Sequence, residues 1–284
     1  MNILWSKGPI RDEYSTLPTE MVVPAYYIID RLKKVENILW IRNTSGFSQS
    51  DLDIASQHLH LLMKPVILIT SDGDRPVPSS YDKKTIDLLL NSENILYWYT
   101  QNYDRSIIHT KLRPFPIGFD LHTNAWLINN SISQKIDFMK SRIENRICNK
   151  VFFDCYLSVT HPERRELFFL LKHNTYIEFL RERVAFQDIT NMYKKYQFVI
   201  SVRGAGLDCH RTWELFLAGC IVITRTSSLD DMFIKNKLPV VILNDWSELN
   251  SSNIKSKLRY WYKTYIEYTS LEHLYHKLTF DYWI

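Results

Sequence analysis

Three short apolar runs set the strongest constraint on what this chain can fold into. Residues 37–42 (NILWIR), 65–70 (PVILIT) and 94–99 (NILYWY) each read as a buried strand. Polar or turn residues bound them at 43–46, 72–78 and 101–104. Residues 49–63 and 81–90 lie between them and suit helices, with Ser50 and Asp82 as candidate N-caps. Continuous buried strands alternating with helices predict a parallel sheet covered on both faces.

A second series of the same kind follows Lys150. Strands are expected at 151–154, 183–186, 197–202, 220–224 and 240–243. Helices are expected at 163–172, with Pro162 in the first turn, at 189–195 and at 210–218. The sequence thus predicts an α/β chain of two Rossmann-like domains with parallel sheets and a cleft between them. The expected division is 1–125, a polar connection at 126–149, a second domain at 150–252 and an aromatic tail at 253–284. Nine of the 32 tail residues are aromatic, and Ile254, Leu258, Trp261, Tyr265 and Tyr268 fall at helical spacing. This stripe predicts a helix packing back on the body of the protein.

Composition narrows the function classes. Of 284 residues, 45% are hydrophobic and 23% charged, enough apolar surface to offset chain entropy. A net charge of +4 is too small to argue for a nucleic-acid partner. The apolar runs are too short to span a bilayer, and the first residues show no secretory signal. Cys148, Cys155, Cys209 and Cys220 make neither a disulfide scaffold nor a zinc motif. The expectation is free thiols in a reducing, cytoplasmic setting.

Glycine placement is the sharpest local signal. Three of seven glycines, Gly204, Gly206 and Gly219, lie within the segment 198–223, which reads strand, Gly loop, helix, Gly, strand. Such a loop lies at the carboxyl edge of an open sheet, where ligands bind. Glycines admit a ligand close to the backbone, and the next helix offers unpaired N–H groups suited to phosphate. Arg203 and Arg211 flank the loop and suit a diphosphate. His210, Arg211 and Glu214 share a helix face, where Glu214 suits ribose hydroxyls. Thr226 and Ser227 follow the next strand and add hydroxyls at the same edge. The competing reading is a plain Gly loop, with Gly219 as a helix C-cap and Arg211–Glu214 as a surface pair. As a dinucleotide fingerprint the loop is poor, although Arg225 would suit an NADP phosphate.

Together with Ser227–Asp231 and the run 239–246, the segment 198–223 resembles the exostosin-type glycosyltransferases. The shared pattern is a strand, an R-G-x-G loop, an Arg followed by Glu on the next helix, and a G-C-I strand. The likeness covers roughly residues 150–250, with an echo at Pro114–Gly118, and small proteins of large algal viruses are similar. The resemblance implies a GT-B fold, with a nucleotide diphosphate sugar held by the C-terminal domain. UDP-linked donors are favoured, UDP-xylose among them. It also implies inverting transfer to a glycan or glycoprotein hydroxyl without an obligatory metal, magnesium on the donor diphosphate being an option. Carried over, Arg203 and Arg211 bind the diphosphate and Glu214 the ribose. Gly204 and Gly206 underlie the donor, Asp208 and His210 touch sugar or phosphate, and Arg164 and Arg165 reach the diphosphate. The membrane anchor and lumenal disulfides of animal members are not seen. A viral source would put the protein in the host cytoplasm.

Inverting transfer needs a base and positive charge behind the leaving diphosphate. Asp72 in the stretch Ser71–Arg75 (SDGDR) is the first candidate base and Asp74 the second, with Asp104, Asp120 and His122 as alternatives. An Asx-capped turn is the competing reading of that stretch. Tyr97, Trp98, Tyr99 and Tyr103 suit either sugar stacking or the core. The rival functions are a catalytically silent nucleotide- or carbohydrate-binding module and an NADP-dependent oxidoreductase.

Overall fold

The computed structural model describes residues 3–10, 12–44, 49–121 and 132–284. The chain divides into two units, one of Asn2–Ile117 with Gly206–Asp208, the other of Gly118–Ala205 with Cys209–Ile284. Each carries its own parallel sheet.

The first unit contains α1 (Glu13–Thr16), α2 (Ala25–Lys34), β1 (Ile38–Arg42), α3 (Asp51–Gln57), β2 (Val66–Ser71), α4 (Lys83–Asn91), β3 (Ile95–Thr100) and β4 (Leu112–Pro114). Its four strands run parallel in the order β1-β2-β3-β4. Because the order never reverses, right-handed crossovers carry α3 and α4 to one face, where α3 packs on both α2 and α4. Ser50 caps α3 by accepting from the Asp53 amide at Oγ, and its own amide donates back to the Asp53 carboxylate. The helix ends at Gln57, short of the expected 63, and only a 3₁₀ turn follows at Leu59–Leu61. Asp82 stands at the N-cap of α4 in extended backbone, but its side chain makes no capping bond.

The second unit contains α5 (Ile132–Lys140), β5 (Ile147–Phe153), α6 (Pro162–Leu171), β6 (Ile177–Phe179), α7 (Phe186–Lys195), β7 (Tyr196–Ile200), α8 (His210–Leu217), β8 (Ile221–Arg225), α9 (Asp230–Lys235), β9 (Val240–Leu243) and α10 (Ile254–Tyr265). Its sheet order is β6-β5-β7-β8-β9, again all parallel. Val151, Phe153, Phe198, Ile200, Ile221, Ile223, Val241 and Leu243 line one face of this sheet. They form a core with Leu167 and Leu171 of α6 and with Ile254, Leu258 and Trp261 of α10. The intervening Phe152, Val199, Val222 and Val240 are buried as well. This accounts for strands that read as unbroken apolar runs. The aromatic tail packs its stripe into the core as expected, except that Tyr268 lies beyond α10 in a 3₁₀ turn.

One expected strand is replaced. Residues 183–185 form no strand and Phe186 opens α7, whereas Ile177–Phe179 pairs with Val151–Phe153 as an edge strand. Both sheets are mixed with helices as the sequence predicts, and the two units are consistent with Rossmann-like domains. Among the described residues no helix is long and apolar enough to cross a membrane.

Candidate functional site

Topology selects one place in the second unit. The chain runs from β5 outward to β6, then returns across β5 to β7. The order therefore reverses between β5 and β7, and an open α/β sheet forms its ligand crevice at the carboxyl ends of such a strand pair. The residues at these ends are Asp154–His161 after β5 and Ser201–Ala205 after β7. The first unit has no such reversal among β1–β4.

Arg164 is the central side chain here. It lies one turn into α6, is only 5% exposed, and donates from Nε to the Arg203 carbonyl (2.9 Å) and from Nη2 to the Val202 carbonyl (3.1 Å). Among the described residues no carboxylate stands within ion-pair reach of it. A buried cation satisfied by carbonyls alone keeps its charge unneutralised, an arrangement that favours an anion. Gly204 leaves the approach open, since a Cβ there would lie 3.4 Å from Arg164 Nη2 and 3.7 Å from Thr160 Oγ1. Arg203 curls over the same loop and donates to the Ala205 carbonyl at 3.0 Å. His161 caps α6 by accepting from the Glu163 amide at Nδ1. Burial and then the neighbouring Arg203 hold its pKa below the ordinary value of 6.5. Arg165, one residue on, is exposed beside the Phe169 ring.

The other expected ligands of α8 have protein partners. Arg211 pairs with Asp154 Oδ2 at 3.1 Å and donates from Nε to the Tyr193 hydroxyl, which itself donates to Asp154 at 2.9 Å. Burial opposes the Arg211 charge, but Asp154 and Tyr193 outweigh it and hold the pKa well above its usual value. Asp154 Oδ1 is buried with no hydrogen-bond partner. Glu214 lies 3.3 Å from Lys135 of α5; burial pushes its pKa up, partly offset by that lysine. His210 Nδ1 sits 2.9 Å from the Gly118 carbonyl. Thr226 and Ser227 are engaged by Asp230, which accepts from the Thr226 hydroxyl and the Ser227 amide at the start of α9. Arg225, the residue that would suit an NADP phosphate, pairs with Glu163 at 3.1 Å. Gly219 has a φ of +80° directly after the C-cap of α8, so the C-cap reading describes its conformation.

Gly206 and Asp208 belong to the first unit. A Cβ on Gly206 would lie 2.7 Å from Asn102 Oδ1 and 3.0 Å from Asp74 Oδ1. Asn102 Oδ1 accepts from the Leu207 amide at 2.8 Å, and buried Asp208 accepts from the Ile117 amide at 2.9 Å. The SDGDR stretch is a tight turn at the carboxyl end of β2. Asp72 has a φ of +62°, and Gly73 presses against the Asn43 carbonyl, where a Cβ would come within 1.8 Å. Both oxygens of Asp72 are engaged, one by Lys7 Nζ and one by the Thr19 hydroxyl, each at 2.8 Å. Asp74 is exposed. Burial raises the Asp104 pKa, but hydrogen bonds from Ser79 and Ser106 outweigh it and hold it below the usual value. Asp120 presents its carbonyl to Lys135. His122 lies outside the described residues. Of the aromatic cluster, Trp98 and Tyr103 are buried, while Tyr97 is exposed with Arg113 over its ring.

Of the residues expected to bind the donor, Arg164, Arg203 and Gly204 stand together at the β5/β7 edge, while Gly206 and Asp208 count with the first unit. Asp154, Tyr193 and His161 were not among the expected site residues. The available signal was an acid directly after a buried strand, at Asp154. Among the described residues no group of three or more His, Cys, Asp or Glu side chains is arranged to hold a metal ion. Comparison with known protein-family models gives no match, and comparison with curated proteins gives none either.

Proposed function

We propose that the chain binds a nucleoside diphosphate sugar at the β5/β7 edge and transfers its sugar to a glycan hydroxyl. The observation that carries this reading is buried Arg164, uncompensated by any described carboxylate and reached over the bare backbone of Gly204. Arg164 and Arg203 supply the charge that a diphosphate needs, both as bound donor and as leaving group. Arg211, balanced by Asp154, contributes orientation rather than net charge. The UDP preference and the GT-B arrangement rest on the exostosin resemblance.

In the reaction the acceptor oxygen bonds to the anomeric carbon as the bond from that carbon to the diphosphate oxygen breaks. The bonding pair leaves with the nucleoside diphosphate, and the hydroxyl proton passes to a base. The base is sought among the two acids that the sequence offers after β2, Asp72 and Asp74, and substitution decides between them. Magnesium would enter as a companion of the diphosphate.

Titration of the chain with UDP and GDP, followed by thermal shift and calorimetry, tests the binding step. UDP is expected to raise the melting temperature, and Arg203→Ala to weaken it at least tenfold while the fold persists. No stabilisation by either nucleotide rejects the site. Release of UDP from UDP-sugars with glycan acceptors tests transfer, and loss of turnover with UDP binding intact in Asp72→Asn or Asp74→Asn identifies the base. The occupied oxygens of Asp72 favour a second reading, a nucleotide-binding module without turnover. Binding of UDP with no transfer to any acceptor would select it.

A further inference from the structure

A cavity in the first unit lies away from the carboxyl edge of its sheet. It has a volume of about 760 Å³ and is built from the start of α1, the outer face of α2 and the loop entering β1 at Ile38. It is therefore at the amino end of β1, whereas Asp72 and Asp74 follow the carboxyl end of β2.

Its walls combine three features. Tyr26 is 61% exposed and stacked on Tyr27, with ring centroids 4.5 Å apart, so an aromatic face is presented at the rim. Among the described lining residues, Asp12, Glu13, Asp30 and Glu36 stand against Arg31 and Lys34. Those cations are already committed. Arg31 bonds Asp12 and covers the Tyr14 ring at 4.4 Å, and Lys34 pairs with Asp30 at 2.7 Å. The Tyr27 hydroxyl donates to Glu13 at 3.0 Å.

These features select a ligand class. The described lining is acidic with its cations neutralised, which disfavours phosphates and nucleotides. A flat exposed ring suits the apolar face of a pyranose, and carboxylates accept hydrogen bonds from its hydroxyls. The volume falls in the range that holds a small organic ligand. We propose that this pocket is a binding site for a neutral oligosaccharide, separate from the donor site and independent of whether transfer occurs.

The test is saturation-transfer NMR and calorimetry on the full chain with neutral xylo-, cello- and malto-oligosaccharides at millimolar concentration, with spermine in parallel. At least one oligosaccharide is expected to bind, with Tyr26→Ala weakening it tenfold or more and Glu36→Gln weakening it measurably. UDP binding is expected to be unchanged in both variants, which separates failure here from failure of the donor site. Tyr26 is exposed, so its replacement should leave the fold intact. Absence of binding by every oligosaccharide overturns the proposal. So does binding that Tyr26→Ala leaves untouched, or a response to spermine alone, which would mark a cation site.

Discussion

Gly204 and Gly206 stand two residues apart, yet a methyl group would meet different surroundings at each. At Gly204 the nearest atoms lie at 3.4 and 3.7 Å, ordinary contact distances. At Gly206 it would come within 2.7 Å of Asn102 Oδ1, an atom already accepting from Leu207. Gly206→Ala is therefore expected to cost about 1–3 kcal/mol in chemical denaturation, and Gly204→Ala much less. Equal losses would mean that the Asn102 contact is not close-packed. Asp72 gives a second contrast, with Lys7 5% and Asp72 3% exposed. Asp72→Asn leaves a buried ammonium without its counter-charge and should destabilise the protein by about 3–5 kcal/mol. A stable Asp72→Asn protein lacking only turnover would assign the base to Asp72. The glycine pair was legible because G-x-G after an apolar strand is a local pattern. The partners of Asp72 were not, since Lys7 is 65 residues away and no spacing rule connects them.

At the scale of elements, strands with long apolar runs were readable and short edge strands were not. β7, β8 and β9 sit close to their expected positions because both faces are buried. β6 has three residues with one buried side chain, Ile177, and offered little against the apolar Val184–Phe186 nearby. That stretch instead leads into α7, and Val184 remains exposed. Helix caps carry their own pH signature. His161 caps α6 only while Nδ1 is unprotonated, and its pKa is depressed by burial, then by Arg203, with Arg164 adding and Glu163 and Glu166 opposing. The unfolded chain takes up this proton first, so stability should fall as pH drops below about 6.5 toward the lower folded value. Comparing melting temperatures at pH 7.5 and 5.5 checks this. His161→Asn, a cap that does not titrate, should lose less on acidification than the parent.

For the whole molecule, the two sheets differ in kind. One has strands in sequential order and the other reverses at β5, so only the second creates a switch point from its own topology. This distinction came from the structure, because strand order is fixed by pairings that an apolar pattern does not encode. It predicts where a nucleotide should act. A ligand that binds the folded state adds stability as RT ln(1 + L/Kd), L being the free ligand concentration, about 2.7 kcal/mol at a hundredfold excess over Kd. Amides nearest the ligand gain protection beyond that global term. In hydrogen exchange with UDP, peptides covering 154–164 and 201–205 should slow most, and those covering 66–74 should show only the general stabilisation. Stronger protection at 66–74 than at 154–164 would move the nucleotide to the first sheet and leave Arg164 as a structural brace for β7.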